Sequence, residues 1–135
     1  MYNLPLIDSN ISVWFTLDGQ EYEVSQFDIS FFQGVDSKGE PQDHVRGGQM
    51  TMTLNQTLPE SFYGWAMRSC TKDGKVDFRI ESGSSPMKIE FINAYCLNFN
   101  RTINSIGGGV STLLTISPEE VIINGRSFDN HWVKY

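Results

Sequence analysis

Two histidines, two cysteines and sixteen acidic residues are the groups of this 135-residue chain whose chemistry could be put to catalytic use. His44 stands beside Asp43 and close to Arg46, a setting that would suit a general base or a metal ligand. No second histidine, cysteine or acid sits at ligand spacing from it, so it reads as an exposed or interface loop histidine, and His131, next to Trp132, reads the same way. Asp28, Glu81, Glu90, Glu119 and Glu120 could supply a catalytic carboxylate pair. Nothing in the sequence brings two of them onto one face beside an apolar pocket, so they read as solvated strand faces. The serines at 82, 84 and 85 lack the strand–turn–helix setting of a nucleophile elbow. Gly107, Gly108 and Gly109 match no phosphate-loop pattern and precede no helix, which makes them a hinge or tight turn. Cys70 and Cys96 are too few and too far apart for a metal site or a CxxC redox pair, and are expected to be reduced and at least partly buried. The aromatic set Trp14, Tyr22, Phe27, Phe31, Phe91 and Phe99 could line a ligand pocket, but core filling is the more economical use of it. No catalytic, cofactor-binding or metal-binding residue is therefore expected, and no cofactor.

The composition agrees with a non-catalytic globular domain. Hydrophobic residues make up 39% and aromatics 13% of the chain, enough for a real core in a single domain spanning residues 1–135. The formal net charge is −6, and the ten basic residues are scattered. That excludes a role built on neutralising nucleic-acid phosphates. The first residues have no positive n-region followed by an apolar stretch, and no segment is apolar enough to span a bilayer. The expectation is a protein folded in the cytoplasm, with no membrane insertion.

The elements read as mainly β. Val13, Phe15 and Leu17 alternate with polar or outward residues, and Asp18-Gly19 is a strong hairpin signal. The return strand carries Tyr22 and Val24 on one face, then Phe27, Ile29 and Phe31 on the other parity, so a bulge is expected near Ser25 and Gln26. Met50, Met52 and Leu54 alternate with Thr51 and Thr53 in a half-buried strand. Residues 58–70 read as a short amphipathic helix, with Thr57 able to cap, Pro59 near the first turn, Arg68 near the end, and Phe62 and Trp65 facing the sheet. Lys72 to Lys75 reads as a turn. Val76, Phe78 and Ile80 form the next strand. A long strand then places Met87, Ile89, Phe91, Tyr95, Leu97 and Phe99 on one face, with its second half covered on both sides. A glycine-rich loop at 104–109 precedes a last strand, which Val121 to Ile123 extends past a bend or edge at Pro118. The sum is mainly β, a small antiparallel barrel or sandwich with one short flanking helix. Residues 1–11 form an N-terminal extension, and 125–135 a polar, aromatic tail.

One segment stands apart. Residues 34–48 form a long polar excursion between the second and third strands, where a loop of two to five residues would suffice. Its Gly34, Val35, Asp36, Lys38, Gly39, Glu40, Pro41, Asp43, His44, Val45, Arg46, Gly47 and Gly48 combine turn formers with mixed charge. They make no chemical site, so the segment reads as a non-catalytic loop built to touch something outside its own barrel.

The order of these features resembles the Hcp (TssD) proteins of type VI secretion systems, in the branch found in Bacteroidetes. The residues that carry the likeness are the Asp18-Gly19 hairpin, the loop from Gly34 through Pro41 to Val45-Arg46-Gly47-Gly48, the Met/Thr/Leu strand, the helix with Phe62 and Trp65, Lys72-Asp73-Gly74, and Phe91 to Cys96. The resemblance implies a barrel protomer that forms homohexameric rings. The rings would stack into a hollow tube ejected by sheath contraction, with spike and sheath proteins as partners and effector cargo in the lumen. It also implies that the extended loop reaches the neighbouring subunit or ring, and that the protein leaves the cell through the apparatus without a cleaved signal peptide. A tube protein of another contractile injection machine and a monomeric small-molecule-binding barrel stand as alternatives.

Overall fold

The structure, a computed structural model, describes residues 11–41, 45–81 and 85–133. Strands β1 (Ser12–Leu17) and β2 (Gln20–Phe32) form the first hairpin. Asp18 and Gly19 have φ of 53° and 78°, the left-handed pair that a tight two-residue turn between twisted strands demands. β3 (Arg46–Leu54), helix α1 (Ser61–Met67), β4 (Thr71–Arg79), β5 (Met87–Ile103), β6 (Val110–Ile123) and β7 (Arg126–Asp129) follow. Every pairing is antiparallel, in the order β3-β2-β1-β4-β5-β6-β7. A further β3–β6 ladder, Met50–Leu54 against Thr112–Ile116, closes the sheet into a barrel and leaves β7 as a short outer strand.

The interior is filled by side chains. Phe15 stacks on Phe91 with centroids 5.9 Å apart, and Tyr22 meets Phe62 edge-on at 5.3 Å. Around them lie Leu17, Met50, Met52, Leu54, Val76, Ile89, Leu114 and Ile116, all essentially inaccessible. Two aromatics of the expected interior set are elsewhere. Trp14 lies on the outer face beneath the Arg79 guanidinium at 5.1 Å, and Phe31 sits near the rim against Phe128 at 5.1 Å.

The expected bulge in β2 is present, with the register against β3 shifting between Val24 and Gln26. Four expectations need correction. The helix is shorter than 58–70, and its first turn begins at Glu60 with no side-chain cap, so Thr57 does not cap it. Residues 72–75 are not a turn but part of β4, where the register slips between Lys72 and Gly74. The face assignment along β5 inverts at Asn93, whose φ is 54°. Ala94 and Cys96 thereby turn toward the core, while Tyr95 and Leu97 turn outward. A second slip between Cys96 and Asn98 restores Phe99 to the inside. Nor is the second half of β5 covered on both sides, because Leu97 and Ile103 are largely exposed. Asparagine tolerates the left-handed region better than other non-glycine residues, which is why the inversion falls where it does.

The bend is shared by three strands. The Asn93 backbone N–H donates to Asp73 Oδ1 at 2.8 Å, and its side-chain amide donates to Glu119 Oε1 at 3.0 Å. In β6 the inward parity changes at the same level, from Leu114 and Ile116 to Val121. Pro118 occupies this bend. On the β3/β7 side of β6, pairing to β3 ends at Ile116 and pairing to β7 starts at Glu120, so the absent proline N–H falls in a gap between ladders.

β4 stops pairing with β5 at Tyr95, while β5 runs on to Ile103. The helix covers the core beside that overhang. Phe62 reaches Phe15, Tyr22 and Phe99, and Trp65 is buried with its indole N–H donating to the Ala94 carbonyl at 3.1 Å. Trp65→Ala removes a large packed side chain and orphans that carbonyl. It should lower the unfolding free energy by about 3–5 kcal/mol in a urea titration, and a loss near zero would show that the indole is not part of the core.

Candidate functional site

The long excursion divides into two parts. Arg46, Gly47 and Gly48 are not loop but the start of β3, paired with the end of β2 through Phe32↔Arg46 and Phe31↔Gly47. The register slips between Ser30 and Phe31, which leaves Gly48 as the extra residue of a bulge. Gly47 is required there by close approach, since a Cβ would lie 2.5 Å from the Phe31 Cα. Asp43 and His44 fall outside the described residues, together with Gln42.

Gly34, Val35, Asp36, Lys38, Gly39, Glu40 and Pro41 form a ribbon tip that orders itself. Val35 and Pro41 make an isolated antiparallel bridge. Within it the Asp36 N–H donates to the Glu40 carbonyl at 2.8 Å, and the Gly39 N–H to the Asp36 carbonyl at 3.0 Å. The Asp36 carboxylate accepts from the backbone N–H groups of Lys38 (2.8 Å) and Glu40 (3.0 Å). An aspartate that satisfies the backbone of its own turn is the usual way such tips hold shape. Every residue from Gly34 to Pro41 is exposed, and Phe32, Val35 and Val45 present apolar surface.

The base of this arm is clamped by a residue from the far end of the chain. Asn130 Oδ1 accepts from the Gly47 N–H at 3.1 Å, and its amide nitrogen donates to the carbonyls of Gly47 (2.8 Å) and Pro118 (3.0 Å). The Asn130 N–H donates to the Glu119 carbonyl at 2.8 Å. One side chain thus supplies the hydrogen bonds that backbone pairing leaves out between the β3–β6 and β6–β7 ladders. Next to it, Trp132 packs on Tyr95 with centroids 5.3 Å apart. Phe32, Arg46, Gln49, Asn130 and Trp132 line a shallow groove at this base.

The other candidates are dispersed. Asp28, Glu81 and Glu90 are exposed on separate strands or turns. Glu119 is buried against Asn93, and Glu120 hydrogen-bonds the Ser127 hydroxyl, so the adjacent pair points to different partners. His131 is exposed, with Nδ1 4.0 Å from Asp129. The outer face of the barrel carries an ordered charge cluster instead. Arg79 bridges Asp77 at 2.8 Å and Glu21, and its guanidinium holds the Glu21 carboxyl below the usual carboxylate range. Asn130, Phe128 and Trp132 did not emerge from the sequence as site residues. The signal that could have found their element is Asn124-Gly125, with φ of 49° and 86°, which turns β6 into β7.

The family model described as TssD, hemolysin coregulated protein Hcp, matches residues 9–133. The chain matches no curated protein. Among solved structures it is similar to Hcp1 from Flavobacterium johnsoniae, with a TM-score of 0.79 and 23% identity over 88% of this chain and 99% of that one. It is also similar to the Hcp1 protein of the E. coli EAEC 042 pathovar, at 0.67 and 10% over 91% and 99%. A chain of the anti-feeding prophage baseplate matches at 0.53 and 10% over 92% and 98%. These likenesses are of fold.

Asn130→Ala leaves the Gly47 amide and two carbonyls without their partner. It should cost about 1–3 kcal/mol in unfolding free energy, and Asn130→Asp, which sets a carboxylate oxygen against the two carbonyls that the amide nitrogen serves, should cost at least as much as Ala. Equal stability of all three proteins would show that the arm's base is held by other contacts.

Proposed function

The chain belongs to the hemolysin coregulated protein (Hcp, TssD) family, the inner-tube subunits of type VI secretion systems, and we propose that its arm is the element that joins one subunit to the next. The role is structural: copies associate into hexameric rings, and the rings stack into a hollow tube. The observation that carries the arm's role is its construction. The tip from Gly34 to Pro41 is held in shape by its own hydrogen bonds, yet it is fully exposed and displays Val35 to solvent. A segment ordered by its own hydrogen bonds is preorganised for a surface elsewhere, and preorganisation lowers the entropic cost of binding. A ring that stacks must present one surface to its opposite, a heterologous contact that repeats. Asp43, His44 and Val45 are assigned to the same arm, whereas Arg46, Gly47 and Gly48 anchor it.

The exposed outer-face residues Leu97, Leu113 and Ile103 fit lateral contacts within a ring, since apolar surface of this kind marks interaction sites. Spike and sheath components are the further partners, effector cargo occupies the lumen, and the subunit is assembled in the cytoplasm before export. The protein is non-catalytic. The filled interior leaves no support for a small-molecule-binding barrel, and no helix among the described residues is long and apolar enough to cross a membrane.

Negative-stain microscopy of the purified protein should show hexameric rings. A species that stays monomeric at high concentration in every condition would refute the tube reading. Joining Val35 directly to Pro41, which removes the tip, should abolish ring assembly or stacking while the barrel still melts cooperatively. Assembly that survives this deletion would mean that the arm is not the connector.

A further inference from the structure

Cys70 and Cys96 are far apart in sequence and face each other in the fold. The β4–β5 ladder pairs Lys72 with Ala94 and Thr71 with Tyr95, so the next position of the same register sets Cys70 opposite Cys96. Both pack against the same core, so both side chains project from one face of the sheet. The Cys70 N–H donates to the Arg68 carbonyl at 3.0 Å and so does not bridge to the opposite strand. Opposed residues of antiparallel strands have Cα atoms about 4.5–5.5 Å apart, inside the range of about 4.4–6.8 Å that a disulfide spans. Both residues are free thiols and are partly accessible, and Cys96 borders a shallow hollow with Met67, Arg68 and Tyr95.

We propose that Cys70 and Cys96 are a redox pair that closes a cross-strand disulfide when the protein meets an oxidant of the small-molecule disulfide class. Burial pushes the Cys96 thiol up, with the neighbouring Cys70 adding to the effect. Because the Cys96 S–H is engaged by the Asn98 carbonyl, the first nucleophile is Cys70. Its thiolate attacks one sulfur of oxidised glutathione, forming a mixed disulfide and releasing one glutathione thiolate. Cys96, after rotating away from the Asn98 carbonyl it now faces at 3.7 Å, loses its proton. It attacks the Cys70 sulfur and displaces the second glutathione. Two protein thiols are oxidised and one glutathione disulfide is reduced to two thiols. The bond ties the end of the helix segment to β5 beside the exposed Leu97. Resting on the secretion reading, the consequence is a subunit assembled reduced and locked after export into oxidising surroundings. The bond-forming step itself does not depend on that reading.

Intact-mass measurement of the full-length protein incubated with oxidised glutathione at mildly alkaline pH tests the pair. The expected product has lost two hydrogens, carries no adduct, has no thiol reactive to Ellman's reagent, and unfolds at a higher urea concentration than the reduced form. Cys96→Ser under the same conditions should stop at one glutathione adduct on Cys70. A wild-type protein that ends unchanged, or with stable glutathione adducts on both cysteines, overturns the proposal. Ring formation, measured separately by microscopy, reports on the tube reading alone.

Discussion

The ladder between β3 and β6 is the contact on which the other features depend. It joins Met50–Leu54 to Thr112–Ile116 and turns a sheet with two open edges into a closed wall. A small closed wall has an interior of fixed size that side chains must fill. That is why Phe15, Phe91, Met50 and Met52 occupy it so completely. Closure also creates a need for the helix. β4 pairs with β5 only as far as Tyr95, so among the described residues the rest of β5 has no ladder partner on that side, and Phe62 and Trp65 cover the core there. Burial of each such side chain contributes about 1.5–3 kcal/mol, and the Trp65 hydrogen bond to Ala94 fixes the helix at one height on the strand.

Closing so few strands also requires them to bend sharply. The bend is concentrated at one level, where Asp73, Asn93 and Glu119 lie on three successive strands. Polar residues are suited to this place because a bulge leaves backbone groups without ladder partners. Asp73 takes the Asn93 N–H, and Asn93 in turn satisfies the buried Glu119 carboxylate. Glu119 therefore owes its burial to the architecture. A buried carboxylate beside an amide has the look of a catalytic group, yet here each partner holds a strand in its bend.

Much of the barrel could be read directly from the residues. Alternation in Val13–Leu17 and Met50–Leu54, the Asp18-Gly19 turn, and the parity change after Val24 all correspond to real strands, a real turn and a real bulge. What failed were a turn signal that neighbouring strands override and a bend that carries no signal in its hydrophobic pattern. Lys72-Asp73-Gly74-Lys75 has the residues of a turn, but neighbours on both sides hold it extended. Asn93 interrupts a run whose hydrophobic pattern continues unbroken, so Tyr95 and Leu97 looked inward when they face out. The arm was legible as an excursion because its length was anomalous, but its base was not. Gly47 and Asn130 are 83 positions apart, and no local pattern announces a side chain that substitutes for a missing strand.

The way the arm joins the barrel also determines how it would carry force. The arm lies between the end of β2 and the start of β3, and β2 is bonded to β1 on one side as β3 is to β6 on the other. Hydrogen bonds in antiparallel ladders run perpendicular to the strands. A pull along the arm therefore loads these flanking ladders in shear, with many rungs strained together, and does not peel them open one at a time. The Asn130 clamp adds a stop at the point where the arm leaves the wall. The arm is thus mechanically a tie rod set into the barrel, suited to tension along its length and weaker against a sideways twist.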